Sequence, residues 1–198
     1  MRIEKDSFGE LSVPDDVLYG AQTARALSNF SLSHEVMPVR FIEACLAIKS
    51  AAAVANAELQ VIDDDTANAI QKGCLAAHEQ LNARQFPVDV FQTGSGTSTN
   101  MNVNEVVAAL AQLSGVSVHP NDHVNMSQSS NDVIPSAIHI SAVIAIHQNL
   151  VPALTHLQGV LYEREAMYGE QVKTGRTDRK STRLNSSHLP RSRMPSSA

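Results

Sequence analysis

Residues 131–170 read as one long helix whose apolar side chains do not keep to a single face. This limits the fold more than any other feature of the 198-residue chain. Val133, Ile134, Ala137, Ile138, Ile140, Val143, Ile144, Val151, Leu154, Leu157, Val160 and Leu161 spread around the axis. A helix apolar on most sides is ordinarily enclosed by other helices. About 40 residues at ~1.5 Å each give a rod near 60 Å long. Only three shorter helices are expected before it, too few to enclose such a rod. Its surface therefore calls for partners outside these residues, either further helices or other subunits. Pro152 should kink or restart it.

The rest of the pattern is also helical. Residues 1–36 look irregular, with turn signals at Gly9, Pro14-Asp15 and Gly20. A first helix is expected from near Pro38 to about Leu59, Ala-rich at its centre. Asp63 or Asp64 can cap a second, over about 65–83. Phe86-Pro87 opens an extended segment to Phe91. Ser98 or Thr99 can cap a third helix to Leu113, with Gly115 as its natural stop. A short helical turn and loop should occupy 119–128, and Ser129 or Ser130 can cap the long helix. No useful alternating strand pattern, repeat or phosphate-binding glycine motif is visible. The expected class is all-α, with domains at 1–130, 131–177 and 178–198.

Charge and composition exclude some functions. Residues 1–175 carry 9 Lys+Arg against 19 Asp+Glu, and 176–198 carry 6 against 1. The acidic body argues against nucleic acid, and the basic, Ser-rich end reads as disordered. No strongly apolar run approaches the roughly 20 residues of a membrane helix, so no membrane is expected. The N-terminus shows no secretory signal. Cys45 and Cys74 read as buried thiols of a reducing compartment, which points to the cytoplasm.

Two polar stretches carry the chemistry: QTGSGTSTNMNVNE at Gln92–Glu105 and HPNDHVNMSQSSND at His119–Asp132. Their Ser, Thr, Asn and Gln side chains offer many hydrogen bonds on short arms. From Gln85 to Glu163 there is no Lys or Arg. An anion bound here would depend on neutral donors and on amides at the helix starts near Ser98 and Asn131. Gly94 and Gly96 permit close backbone approach. Ser95, Thr97, Ser129, Ser130 and Asn131 add side-chain donors. His119 and Asp122 can bond each other or a ligand. Such a set suits a small dicarboxylate that gains negative charge during reaction. The same residues also suit plainer roles: Ser129 or Ser130 as a helix cap, Gly94–Thr97 as a turn, His119 as a structural histidine. Asn102 and Asn104 are expected to brace the helix rather than bind substrate. Zinc-type ligand spacing is lacking.

TGSGTSTNMNVNEV and HPNDHVNMSQSSND resemble the first two substrate-contact regions of class II fumarases, in the fumarase/aspartase superfamily. EKDSFGELSVPDDVLYGAQTARAL resembles that family's N-terminal segment, and the likeness runs from about Ile3 to Thr177. It implies an all-α homotetramer with a 20-helix core, and reversible hydration of fumarate to L-malate without metal or cofactor. It also implies that Ser95, Gly96, Thr97, Ser129, Ser130, Asn131 and Thr177 contact substrate. His119, Pro120, Asn121 and Asp122 then match a secondary dicarboxylate site. Aspartases are the nearest alternative, but they resemble GGAGT, NPND and QSTND where this chain has TGSGT, HPND and QSSND. Gly175-Arg176-Thr177 follows the pattern, yet Asp178 stands where the family has its catalytic histidine. The loop with the catalytic serine and a lysine has no counterpart here. The resemblance thus implies an N-terminal portion, inactive alone and without a catalytic residue of its own. A non-catalytic helical assembly module is the other reading.

Overall fold

The computed structural model describes residues 1–6 and 8–171. They divide into two compact units, one of Met1–Asn149 and one that begins at Leu150. Thr177, Asp178 and the expected tail at 178–198 lie outside the described residues. The fold is mostly helical, with one small sheet.

That sheet corrects the expectation for residues 1–36. Strands β1 (Arg2–Asp6) and β2 (Gly9–Val13) pair antiparallel, from Arg2 opposite Val13 to Asp6 opposite Gly9. Gly9 turns the chain at φ +114°, a region closed to most side chains. The hairpin was hidden because the inward positions of β1, Arg2, Glu4 and Asp6, are not apolar. The Arg2 guanidinium fills one of them, donating to the carbonyls of Pro14, Val17 and Tyr19 at 2.7–2.8 Å. Arg25 then holds the hairpin through Asp6 at 2.7 and 2.9 Å.

A helix within the same stretch, α1 (Ala21–Asn29), was also unforeseen. Gly20 precedes it and offers no side-chain cap. Glu105, 85 residues on, supplies one. Its carboxylate accepts from the Gly20, Gln22 and Thr23 amides at 2.9–3.1 Å and from the Thr23 hydroxyl at 2.5 Å. A carboxylate at this end also opposes the helix dipole favourably.

The next helices follow their local signals. α2 spans Val39–Glu58 and buries Phe41, Ile42, Cys45, Leu46, Lys49, Ala53 and Asn56, a 3–4 spacing that marks one face. α3 spans Asp64–Glu79, and its cap is Asp63, which accepts from the Thr66 amide at 2.7 Å. α4 (Thr97–Gln112) is the centre of the unit, with thirteen of its sixteen residues buried. α3 meets α4 at Gly73, where a Cβ would stand 2.7 Å from the Val107 carbonyl. Gly115, at φ +85°, ends this region as expected. Cys45 and Cys74 are unbridged, and burial pushes both thiols up to about 12, so neither is a ready nucleophile.

The extended segment after Phe86 joins the 30–36 stretch through an isolated bridge, Val36 with Asp89. Asp89 anchors it, accepting from the amides of Leu32, Ser33, His34 and Phe91 and from the Ser33 hydroxyl. Loss of solvent pulls its carboxyl upward. The donors from Phe91, Ser33 and His34 outweigh this and hold it well below the ordinary range. A depressed carboxyl contributes stability above its unfolded value, 3.8, and loses it as pH falls through the folded value. Urea midpoints for Asp89→Asn are therefore expected below wild type at pH 7. The difference should shrink once the pH drops below about 4. Equal gaps at pH 7 and pH 3 would contradict this.

α5 spans Ser130–Ala145, a π-helical turn occupies Ile146–Leu150, and α6 spans Val151–Tyr168. The expected disturbance at Pro152 takes the form of that turn, just before it. α6 has no buried residue, and Leu154, Leu157 and Leu161 are 52–59% exposed. Over Ser130–Tyr168 the backbone is helical, and its most apolar 18-residue window has mean hydropathy 1.4. This corrects the expectation that no such run exists. By length and composition the stretch could cross a membrane, although His139, Ser141, His147, Gln148, Asn149, Thr155, His156 and Gln158 are scattered along it.

Candidate functional site

Thr97 and Ser130 are 33 residues apart in sequence, and their hydroxyl oxygens lie 3.0 Å apart. The two polar stretches therefore meet where α4 and α5 begin. On the α4 side, Gly94–Gly96 forms a single tight turn. Ser95 and Gly96 both have φ +61°. For Ser95, a residue with a Cβ, this costs on the order of 1 kcal/mol, and its side chain stays exposed. Gly96 has a second constraint, since a Cβ there would lie 3.2 Å from three carbons of Ile134 on α5.

The expected caps at Ser98 and Thr99 are not found. Gly96 precedes α4, and both residues lie buried inside the helix. Their amides are not open to an anion either. Thr93 Oγ1 accepts from the Ser98 amide at 3.1 Å, and Gln92 Oε1 from the Thr99 amide at 2.8 Å. These side chains fold back from the preceding loop, a capping mode that the search for a Ser or Thr beside the helix overlooked. The side-chain donors on this side are the exposed hydroxyls of Ser95 and Thr97.

On the α5 side, Ser129 is the cap, its Oγ accepting from the Asn131 amide at 3.2 Å. Asn131 is exposed, and its carboxamide makes no recorded bond among the described residues. Pro135 lacks the N–H that would bond the Asn131 carbonyl in an uninterrupted helix. Thr97, Ser130 and Asn131 thus present side-chain donors around the starts of two helices, where the dipoles favour an anion.

His119–Asp122 is built differently. Pro120–Val124 forms a π-helical turn, as the expected short helix. His119 Nδ1 accepts from the Asp122 amide at 3.2 Å and lies 3.0 Å from Asp122 Oδ2. The His119 amide donates to His123 Nδ1 at 2.9 Å. His119 therefore serves the turn's own geometry, and His123, four residues on, was the partner missed. His119, Pro120 and Asn121 line an open cavity of about 740 Å³ shared with Glu105 and Lys5. Asp122 lines another, of about 670 Å³, with Asp63 and His123. The four residues do not converge on one cavity, and neither cavity includes Thr97, Ser130 or Asn131. Asn102 braces the helix as expected, donating to the Gln85 carbonyl at 2.9 Å. Among the described residues no group of three His, Cys, Asp or Glu could hold a metal ion.

A family model described as lyase matches residues 9–181. The chain belongs to the lyase family. Within that family this lyase chain is similar to proteins named class II fumarate hydratase. It is 54% identical to one from Pseudomonas aeruginosa over 177 residues, covering 89% of this chain and 39% of that protein. It is 51% identical to one from Xylella fastidiosa, covering 89% and 37%. A crystal structure of class II fumarase from Schistosoma mansoni superposes with a TM-score of 0.84 at 40% identity, over 89% of this chain and 39% of that one. The lyase chain thus spans about two fifths of the length of these relatives.

Proposed function

We propose that this chain is the N-terminal portion of a class II fumarate hydratase, which in the intact enzyme adds water reversibly to fumarate to give L-malate. The contact between Thr97 and Ser130 carries the reading. It brings the hydroxyls of both polar stretches and the Asn131 carboxamide to one place at two helix N-termini, with Asp132 the carboxylate in the first turn of α5. Ser95, Gly96 and Thr97 would hold one part of the dicarboxylate, and Ser129, Ser130 and Asn131 another, with Thr177 completing the set. When a base removes the proton beside a carboxylate, charge accumulates on that carboxylate. Fixed neutral donors stabilise it at little reorganisation cost. The described residues supply these donors and not the base. His119, Pro120, Asn121 and Asp122 would form a secondary site. Aspartase is less well supported, because relatives at about 50% identity bear the fumarate hydratase name.

The exposed apolar side chains of α5 and α6 suit subunit contacts in a homotetramer. The polar residues scattered between them suit a bundle better than lipid. A cytoplasmic location fits the unbridged cysteines. The test is a hybrid in which residues 1–171 replace the matching segment of the Pseudomonas aeruginosa relative. It is expected to dehydrate L-malate, followed by fumarate absorbance, and to release no ammonia from L-aspartate. Ammonia release faster than malate dehydration would overturn the reading.

A further inference from the structure

Lys49, on the buried face of α2, has 0% of its surface exposed. Its ammonium donates to Asn125 Oδ1 at 2.8 Å. The same oxygen accepts from Asn100 at 3.0 Å and Asn104 at 3.3 Å, both on α4. Asn125 in turn donates to the Gln128 carbonyl at 3.2 Å. Asn56, about two turns from Lys49 on the same face of α2, donates to the Met126 carbonyl at 3.0 Å. One arm of this network thus ends in the loop that delivers Ser129–Asn131. The other ends on Asn100, one helical turn after Thr97. Around it, Asn100 Oδ1, Asn104 Oδ1 and Gln128 Oε1 are buried with no hydrogen-bond partner. The surroundings are rich in acceptors and suit a cation. Packing alone does not call for one, since a methionine fills a similar volume at less desolvation cost. No Lys or Arg occurs from Gln85 to Glu163, so the candidate site has no cation of its own in either stretch.

We propose that Lys49 is a positioning residue for the candidate dicarboxylate site: through Asn125, its ammonium sets the placement of Thr97 on α4 relative to Ser129–Asn131 at the head of α5. The proposal rests on the fumarase reading only for the class of ligand. Burial pulls the Lys49 amine down to about 8, partly offset by the thiols of Cys45 on its own helix and Cys74 on α3. From α4 and the 125–128 loop the groups around it are the neutral amides of Asn100, Asn104 and Asn125, and α5, which also packs on α2, buries only Val133, Ile134 and Ala137, none of them titratable. Its charge is therefore lost within an accessible pH range, above that in which histidines titrate.

The experiment uses the 198-residue chain labelled with ¹⁵N and titrated from pH 7.5 to 10. The side-chain amides of Asn100, Asn104 and Asn125 and the backbone amides of Ser130 and Asn131 are expected to shift together, with one midpoint near 8. In Lys49→Met that step should vanish. Amide exchange at Asn131 and Val133, whose amides bond Ser129, should rise about tenfold, with α3 amides unchanged. Titration of the three asparagines without movement at Ser130 and Asn131 would overturn the proposal. So would equal loss of protection in α3, which would make Lys49 merely structural. If Lys49→Met does not fold, the wild-type titration decides alone: a step shared by the three asparagines and by Ser130 and Asn131 upholds the coupling, and a step confined to the asparagines overturns it. No ligand is required, so failure here leaves the fumarase reading standing. Failure of the hybrid to act on malate leaves this coupling standing.

Discussion

In the full-length hybrid, Asn131→Ala is expected to lower turnover by about 10²–10³, the usual effect of removing one fixed donor to a developing oxyanion. Thr97→Ala should act similarly, since it removes a hydroxyl from the same place and breaks the contact with Ser130. Neither change should disturb the fold much. Both residues are exposed, and Asn131 is tied to the helix cap by its backbone amide rather than its side chain. Rate and thermal midpoint therefore separate the functional role from the structural one. His119→Asn is the control: its ring serves the Pro120–Val124 turn, so its effect on turnover should be far smaller. Steady-state malate dehydration beside thermal melts measures all three. His119→Asn as damaging as Asn131→Ala would dissolve the division into primary and secondary sites.

Glu105→Ala is expected to be the most damaging change to stability. One carboxylate accepts four bonds at the start of α1, two of them from Thr23, which is wholly buried. Hydrogen bonds to a charged group contribute about 1.5–3 kcal/mol each, and a buried donor left unpaired costs about 1–3 kcal/mol. Water entering the cavity beside Glu105 can satisfy the Gly20 and Gln22 amides, so the full sum is not expected. A net loss of about 3 kcal/mol is the reasonable figure. For a unit of this size that lowers the melting midpoint by about 6–12 °C. α1 should fray first, visible as faster amide exchange at Ala24–Leu27 than in α3. Glu105→Gln retains one acceptor and should fall between. A variant within 1 °C of wild type would show that α1 does not depend on this distant cap.

What was legible in the chain was what short-range rules govern. Asp63 as a cap, Gly115 as a stop, Ser129 before α5 and the spacing of buried residues in α2 all depend on atoms within about four residues. The all-helical class and the exposed apolar surface of α6 followed from periodicity. The length and hydropathy of Ser130–Tyr168 were underrated, because its scattered polar side chains barely lower the average over a window. The family was legible in the spelling of two motifs, and so were the residues proposed to touch substrate.

Other features depended on groups distant in sequence. α1 forms because Glu105 reaches back to it, and the first hairpin because Arg2 finds three carbonyls between residues 14 and 19. The helix caps at Ser98 and Thr99 failed as expectations because Gln92 and Thr93 occupy those amides first. Lys49 gave no signal within α2, where a lysine ordinarily faces water, and only the packed core shows it against Asn125. By itself the sequence determined the helices from α2 onward and the donor chemistry, because propensity, capping and periodicity act locally. Only the tertiary structure decided that Thr97 and Ser130 share one place while Asp122 turns to a different cavity from His119. Hydrogen-bond partners are set by proximity in space, and separations of 33 to 85 residues leave that proximity open until the core has packed.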